Sequence, residues 1–167
     1  MKKNLKRLGL ILLAIFIIIQ FFRPARNINI APAAFANDIT KVYPVPDSVQ
    51  AILKSSCYDC HSNNTVYPWY ANIQPVAWWL NDHIVEGKNE LNFSEFASYR
   101  IRRKYKKMEE VIDQVKKDEM PLYSYTIIHR YAALSKNQKN SLIDWANEVR
   151  DTIKANYPAD SLLRKQP

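Results

Sequence analysis

The residues with the most chemistry in this chain are Cys57-Tyr58-Asp59-Cys60-His61. Two thiols three residues apart can reach the two vinyl groups of one porphyrin, and the imidazole that follows at once can meet the iron. Attachment and proximal ligation then come from a single short segment. The chain has 2 Cys and 3 His in 167 residues, so composition alone does not produce this run. It implies one covalent haem c, bonded through Cys57 and Cys60, with His61 as an iron ligand. Other uses of the same residues fit less well. A disulfide gives His61 no role, a thioredoxin-like dithiol needs surrounding strands, and zinc needs ligands that no further Cys supplies.

A sixth ligand must come from elsewhere in the chain. Met120 leads, because a thioether is a soft ligand suited to an electron-carrying haem. It lies 59 residues beyond His61, ample chain to wrap the far side of a porphyrin, and Pro121 stiffens the loop. His83 and His129 are the alternatives, and either would give a bis-histidine centre. His83 shares a helical stripe with Trp79, which also suits a core or interface histidine. Met108, within a helix, reads as core. Tyr67, Trp69, Trp78, Trp79 and Tyr125 are candidate pocket walls or plain core.

These residues need a compartment and a scaffold. Leu8 to Phe22 is apolar apart from Gln20, with Lys2, Lys3, Lys6 and Arg7 before it and Arg23 and Arg26 after it. Its 15 residues are short for a spanning helix of about 20, but flanking cations can snorkel to extend it. The expectation is a signal anchor over 1–26; cleavage after Ala34-Phe35-Ala36 is the competing reading. The excess of cations on the N-terminal side places that end in the cytoplasm and the rest outside, at the outer or periplasmic face of the cytoplasmic membrane. Outside is where haem is joined to such motifs. The formal charge of +8 is concentrated in the same segment. Without its six cations the rest carries 18 basic against 16 acidic side chains. That balance argues against nucleic acid as a partner.

The elements behind the site read as helical. Gly is scarce, at 2 residues, and apolar residues fall at helical spacing. Residues 27–45, containing Pro32 and Pro44, suit an extended linker. A haem domain follows over 46–155. Its first helix starts near Asp47 or Ser48, either able to cap it, and carries Val49, Ile52 and Leu53 into Cys57. A second runs from Pro75 to Gly87, the glycine suiting a left-handed C-terminus. A third region spans about 94–117, with room for one break and with Phe96, Met108, Ile112 and Val115 inward, and ends before Pro121. Its basic run, Arg100 to Lys107, suits a solvated face balanced by Glu109, Glu110, Asp113 and Asp118, or a landing site for an acidic partner or anionic lipid. The last helix has a capping-box start, Ser135 with Gln138, and the stripe Leu142, Trp145, Ala146, Val149 and Ile153. Residues 156–167 read as a polar tail. The fold class is therefore mainly α and cytochrome c-like, after a single N-terminal membrane helix, with the first and last helices of the domain in contact.

From Cys57 onward the sequence resembles the bacterial haem-binding domain family, a membrane-anchored, cytochrome c-like group. The likeness rests on Cys57 to Thr65 (C-x-x-C-H-S-N-x-T), Tyr67-Pro68-Trp69-Tyr70, His83 with Gly87, Asn92-Phe93-Ser94, and Met120-Pro121 followed by Tyr125 and His129. It covers about 45 to 155. Related sequences often have proline where Arg130 follows His129. The resemblance implies covalent haem at Cys57 and Cys60, His61 as proximal ligand and Met120 as the distal candidate. The resemblance adds little about physiology; a six-coordinate haem on a membrane tether suggests single-electron transfer with redox proteins that the sequence does not identify, a carrier more than an enzyme. A peroxidase-like enzyme, with His83 or His129 as acid/base group, and a haem-based sensor are the alternatives.

Overall fold

The computed structural model describes residues 2–163. Residue 1 and the 164–167 end of the expected tail lie outside the described residues. The elements are α1 (Lys2–Ile19), α2 (Asp47–Ser56), α3 (Tyr58–His61), α4 (Val76–Glu90), α5 (Ile101–Lys116), α6 (Tyr123–Ile128), α7 (Lys136–Asn156) and α8 (Ala159–Leu162), with short 3-10 turns between them. No strand occurs among the described residues. The mainly α expectation holds.

The N-terminal membrane helix does not hold in the form expected. No helix among the described residues is long and apolar enough to cross a membrane. α1 opens with Lys2, Lys3, Lys6 and Arg7, so its uncharged part begins at Leu8 and ends at Ile19. At 1.5 Å per residue that part spans about 18 Å, against a hydrocarbon core of about 30 Å.

Residues 27–45 are not a free spacer either. Asn27 donates to the Ser62 carbonyl and to Thr65 Oγ1, both at 2.9 Å, and accepts from Lys88 Nζ at 2.6 Å. Ala34, Asp38, Ile39 and Tyr43 are buried, and Trp145 Nε1 donates to the Pro44 carbonyl at 3.0 Å. Apolar residues spaced among the prolines anchor this stretch to the domain.

The main core is formed where α7 lies along α5 and crosses α2. α2 contributes Val49, Ile52 and Leu53; α5 contributes Met108, Ile112 and Val115; α7 contributes the whole predicted stripe from Leu142 to Ile153. Burying each large apolar side chain stabilises the fold by about 1.5–3 kcal/mol. Ser135 and Gln138 form the reciprocal capping box that starts α7. The start of α2 differs from expectation: Pro46 precedes it and no side chain caps it. The basic run on α5 is largely satisfied locally, with Lys107 between Glu90 and Glu110, Lys106 on Glu110 and Arg103 over the Tyr99 ring. Leu162 is buried within α8, so the tail is docked at least that far.

Candidate functional site

His61 is positioned by a break in the helix. Cys57 ends α2 with φ −127° and ψ −42°, and its carbonyl accepts from both Cys60 N at 3.2 Å and His61 N at 2.9 Å. That winds the motif into the single turn α3. His61 Nδ1 is 2.8 Å from the Leu91 carbonyl, just past the end of α4. The carbonyl can only accept, so Nδ1 carries the proton and Nε2 keeps its lone pair. Nε2 has no hydrogen-bond partner among the described residues. Burial lowers the pKa of His61 from 6.5, although the bond to the Leu91 carbonyl and the neighbouring Gly87 backbone oppose this. A neutral imidazole with one free nitrogen is the form that binds a metal.

The Leu91 carbonyl is itself held by a polar clip. Asn92 donates to Asn63 Oδ1 at 2.7 Å, Asn63 N donates to Ser94 Oγ at 3.2 Å, and Ser94 N donates to Asn92 Oδ1 at 3.0 Å. The two motif fragments Ser62-Asn63 and Asn92-Phe93-Ser94, 30 residues apart, are thus partners in one network. Ser94 is fully buried, and its bonding satisfies it.

Gly87 serves close approach rather than helix termination. It lies within α4, has no positive φ, and a Cβ there would stand 2.8 Å from the Cys60 carbonyl oxygen. Only a glycine lets α4 pass this near to the motif.

A cavity of about 490 Å³ opens beside His61. Its wall includes Leu53, Cys57, Leu91, Phe93, Val111, Val115, Met120, Pro121, Leu134 and Leu142, with Glu90, Lys107 and Glu110 as its charged members. Lys107 Nζ joins Glu90 Oε2 at 2.8 Å and Glu110 Oε2 at 2.6 Å. Met120 reaches this wall because α5 ends in a reversal. Asp118 takes φ 61°, an uncommon conformation that a short polar residue tolerates, and Glu119 N and Met120 N both return to the Gln114 carbonyl. The expected proline stop is real, but the turn before it aims the loop.

The other side of the motif is filled. Cys60 does not line the cavity; it packs with Leu80, Ile84, Tyr67 and Tyr70. Asp59 Oδ2 accepts from Tyr125 Oη at 2.7 Å, and its carbonyl accepts from Thr65 Oγ1 at 2.6 Å. His129 Nε2 meets Tyr70 Oη at 3.1 Å and its ring stacks on Tyr125, with centroids 4.2 Å apart, while Nδ1 is buried with no partner among the described residues. His83 lies along α4, with Nδ1 2.8 Å from the Trp79 carbonyl and its ring on Trp79. Neither histidine lines the His61 cavity, whereas Met120 does.

Of the two readings for the aromatic residues, pocket wall or plain core, the wall does not apply. Tyr67, Trp69, Trp78, Trp79 and Tyr125 all lie off this cavity, and Phe93 is its aromatic wall besides His61. The Tyr67–Tyr70 segment folds toward α4 behind the motif, so sequence proximity to Cys60 did not mean proximity to the cavity. Both cysteines are free thiols, half-buried. Burial, then the neighbouring Cys60, pushes the Cys57 thiol up to about 12; burial, then Asp59, pushes Cys60 up to about 11.

These residues fit a haem. The cavity lies in the size range of pockets that take organic cofactors, about 300–1,000 Å³, and its walls are mostly apolar. It has a free imidazole nitrogen on one side, a thioether in its wall and a thiol at its edge. Phe93 could be anticipated only as part of the Asn92-Phe93-Ser94 motif, while Leu91 and Asn27 carried no signal in the sequence.

A family model described as a haem-binding domain matches residues 14–148. No curated protein and no solved structure matches the chain.

Proposed function

Because the chain belongs to the haem-binding domain family, we propose that it holds one covalent haem c in the His61 cavity and passes single electrons at the outer face of the cytoplasmic membrane. Cys57, at the cavity edge, and Cys60, once turned from its packing against Leu80 and Ile84, would hold the group through thioether bonds, His61 Nε2 would be the proximal ligand and Met120 the sixth. Haem bound there supplies a one-electron couple between ferric and ferrous iron. The observation that carries the reading is the His61 bond to the Leu91 carbonyl, 2.8 Å, beside a cavity that also contains Met120. That bond fixes the ring's tautomer and plane and raises the basicity of Nε2.

The carrier reading draws further support from what surrounds the cavity. A peroxidase-like site needs an open sixth position with an acid/base group beside it. His83 and His129, the histidines considered for that role, lie elsewhere, and the charged groups in the wall, Glu90, Lys107 and Glu110, are paired with one another. Apolar walls lower the local dielectric and restrict water, which suits a group that exchanges electrons without binding substrate. The partners would be redox proteins. α1 serves as the membrane attachment, oriented by Lys2, Lys3, Lys6 and Arg7 ahead of its apolar part.

The test is the full chain matured with haem and examined by visible and near-infrared spectroscopy in both redox states. The expected result is pigment that survives acidified acetone, with a sulfur-to-iron band that Met120→Ala abolishes. Extractable pigment would overturn covalent attachment, and a band that persists in the variant would overturn Met120 as ligand. A high-spin ferric spectrum in the unaltered protein, responding to peroxide, would overturn the carrier reading.

A further inference from the structure

The end of α1 is bonded directly to the domain. Gln20 Nε2 donates to the Gln74 carbonyl at 3.2 Å and Gln20 Oε1 accepts from Gln74 N at 2.9 Å. The Phe22 carbonyl accepts from Gln74 Nε2 at 3.0 Å and from Trp78 Nε1 at 2.7 Å. Gln74 is 1% exposed, with its amide fully engaged. Wherever the apolar part of α1 goes, the segment containing Gln74 and Trp78 goes with it, with no slack between them.

That same segment presents apolar side chains outward. Trp69 is 76% exposed, Trp79 44%, and Ile73 and Val76 38% each, beside the exposed Phe21 and Phe22. Val76 and Trp79 are three residues apart on α4 and so share a face. Two exposed cations, Arg23 and Arg26, sit at this junction, Arg26 bonded to Asn72 Oδ1. Exposed tryptophans with flanking arginines are the composition of a membrane interface, where an amphipathic ring lies at headgroup level.

Length gives the reason for such a surface. The uncharged helical part of α1, Leu8 to Ile19, covers about 18 Å, well short of a hydrocarbon core of about 30 Å. A short run can be matched by local thinning or by apolar surface supplied next to it. Resting on the membrane attachment proposed above, we infer that Trp69, Ile73, Val76 and Trp79, with Phe21 and Phe22, seat the domain on a bilayer containing anionic phospholipid. The domain is then docked in one orientation instead of swinging on a tether, and the His61 cavity is held at a fixed angle to the membrane.

The experiment uses the full, haem-loaded chain in vesicles of phosphatidylcholine and phosphatidylglycerol, oriented on a flat support. Linear dichroism of the haem absorption reads orientation, and co-sedimentation with vesicles reads attachment. The unaltered protein should sediment with vesicles and show clear dichroism. The variant with W69S, I73S, V76S and W79S should still sediment and keep its haem spectrum, while its dichroism falls several-fold. Dichroism unchanged in that variant overturns the docking face and leaves the attachment reading intact. Failure of the unaltered protein to sediment overturns both. A measurement that needs no variant guards against misfolding: lipids brominated near the headgroup should quench tryptophan fluorescence in the unaltered chain, and absence of quenching overturns the proposal. A dimer in nanodiscs that the four substitutions dissociate would assign the face to a second copy and overturn it equally.

Discussion

The turn from Cys57 to His61 has two sides built from opposite materials. Toward His61 there is an apolar cavity of about 490 Å³ with a ring nitrogen that no group among the described residues engages. Toward Cys60 the gap is about 10 Å³, bordered by Asp59, Tyr70, Tyr125 and His129, and the polar groups are bonded to one another. His61 and His129 each have one engaged nitrogen. They differ in what faces the second: room for a ligand in one case, buried protein in the other. A histidine's capacity to hold iron is therefore set less by residue type than by the volume left beside its free nitrogen.

The contrast is broken most severely at its centre. His61→Ala should abolish the low-spin haem spectrum, whereas His129→Phe, which retains a ring to stack on Tyr125, should leave it unchanged. Haem content and absorption of matured protein check both, and an unchanged spectrum in the first variant would erase the distinction between the two sides.

Gly87→Ala tests how tightly the two sides are held together. Its Cβ would fall 2.8 Å from the Cys60 carbonyl oxygen and 3.2 Å from Cys60 Cβ, so backbone must move. Overpacking of this kind costs about 1–3 kcal/mol, partly offset by about 1 kcal/mol of helix propensity. Thermal unfolding should show a net loss, with Gly87→Ser no better.

Tyr125→Phe probes the filled side alone. It removes the 2.7 Å bond to Asp59 Oδ2, a hydrogen bond to a charged group worth about 1.5–3 kcal/mol. Denaturant unfolding should report that loss while the haem spectrum stays as it was. A change in iron ligation would show that the two sides are coupled.

The smallest effect is expected at the cavity rim. The hydrogen bond from Lys107, then its charge, holds the Glu90 carboxyl below 4.5. A depressed carboxylate contributes stability above its unfolded value, and that contribution fades as pH falls through the folded value. Glu90 is well exposed, so the contribution is a few tenths of a kcal/mol. Glu90→Gln should flatten the stability profile slightly below about pH 4.5, as read by denaturant midpoints across acid pH.

Much of this molecule is legible in one dimension. The α7 stripe and its capping box depend on residues three and four apart, so periodicity finds them. Met120 was reachable by ligand chemistry, and its placement follows from the left-handed turn at Asp118, which short polar residues tolerate. The aromatic residues misled, because an aromatic side chain fits a cofactor wall, a core and a surface equally well. Tyr67 and Tyr70 went behind the motif, and Phe93 went to the cavity. Gly87 misled similarly: its lack of a Cβ permits either a helix end or a close crossing, and only the position of Cys60 selects the second.

The sequence by itself determined the longer helices α2, α4, α5 and α7, the core stripes and the five-residue motif, since each depends on covalent spacing or on contacts within a turn or two. Tertiary structure alone decided which nitrogen of His61 is free, which side of the motif has room and how α1 joins the domain. Those depend on the Leu91 carbonyl, 30 residues from His61, and on Gln74, 54 residues from Gln20. No local pattern encodes such distances, because the packing that sets them exists only once the chain has closed on itself.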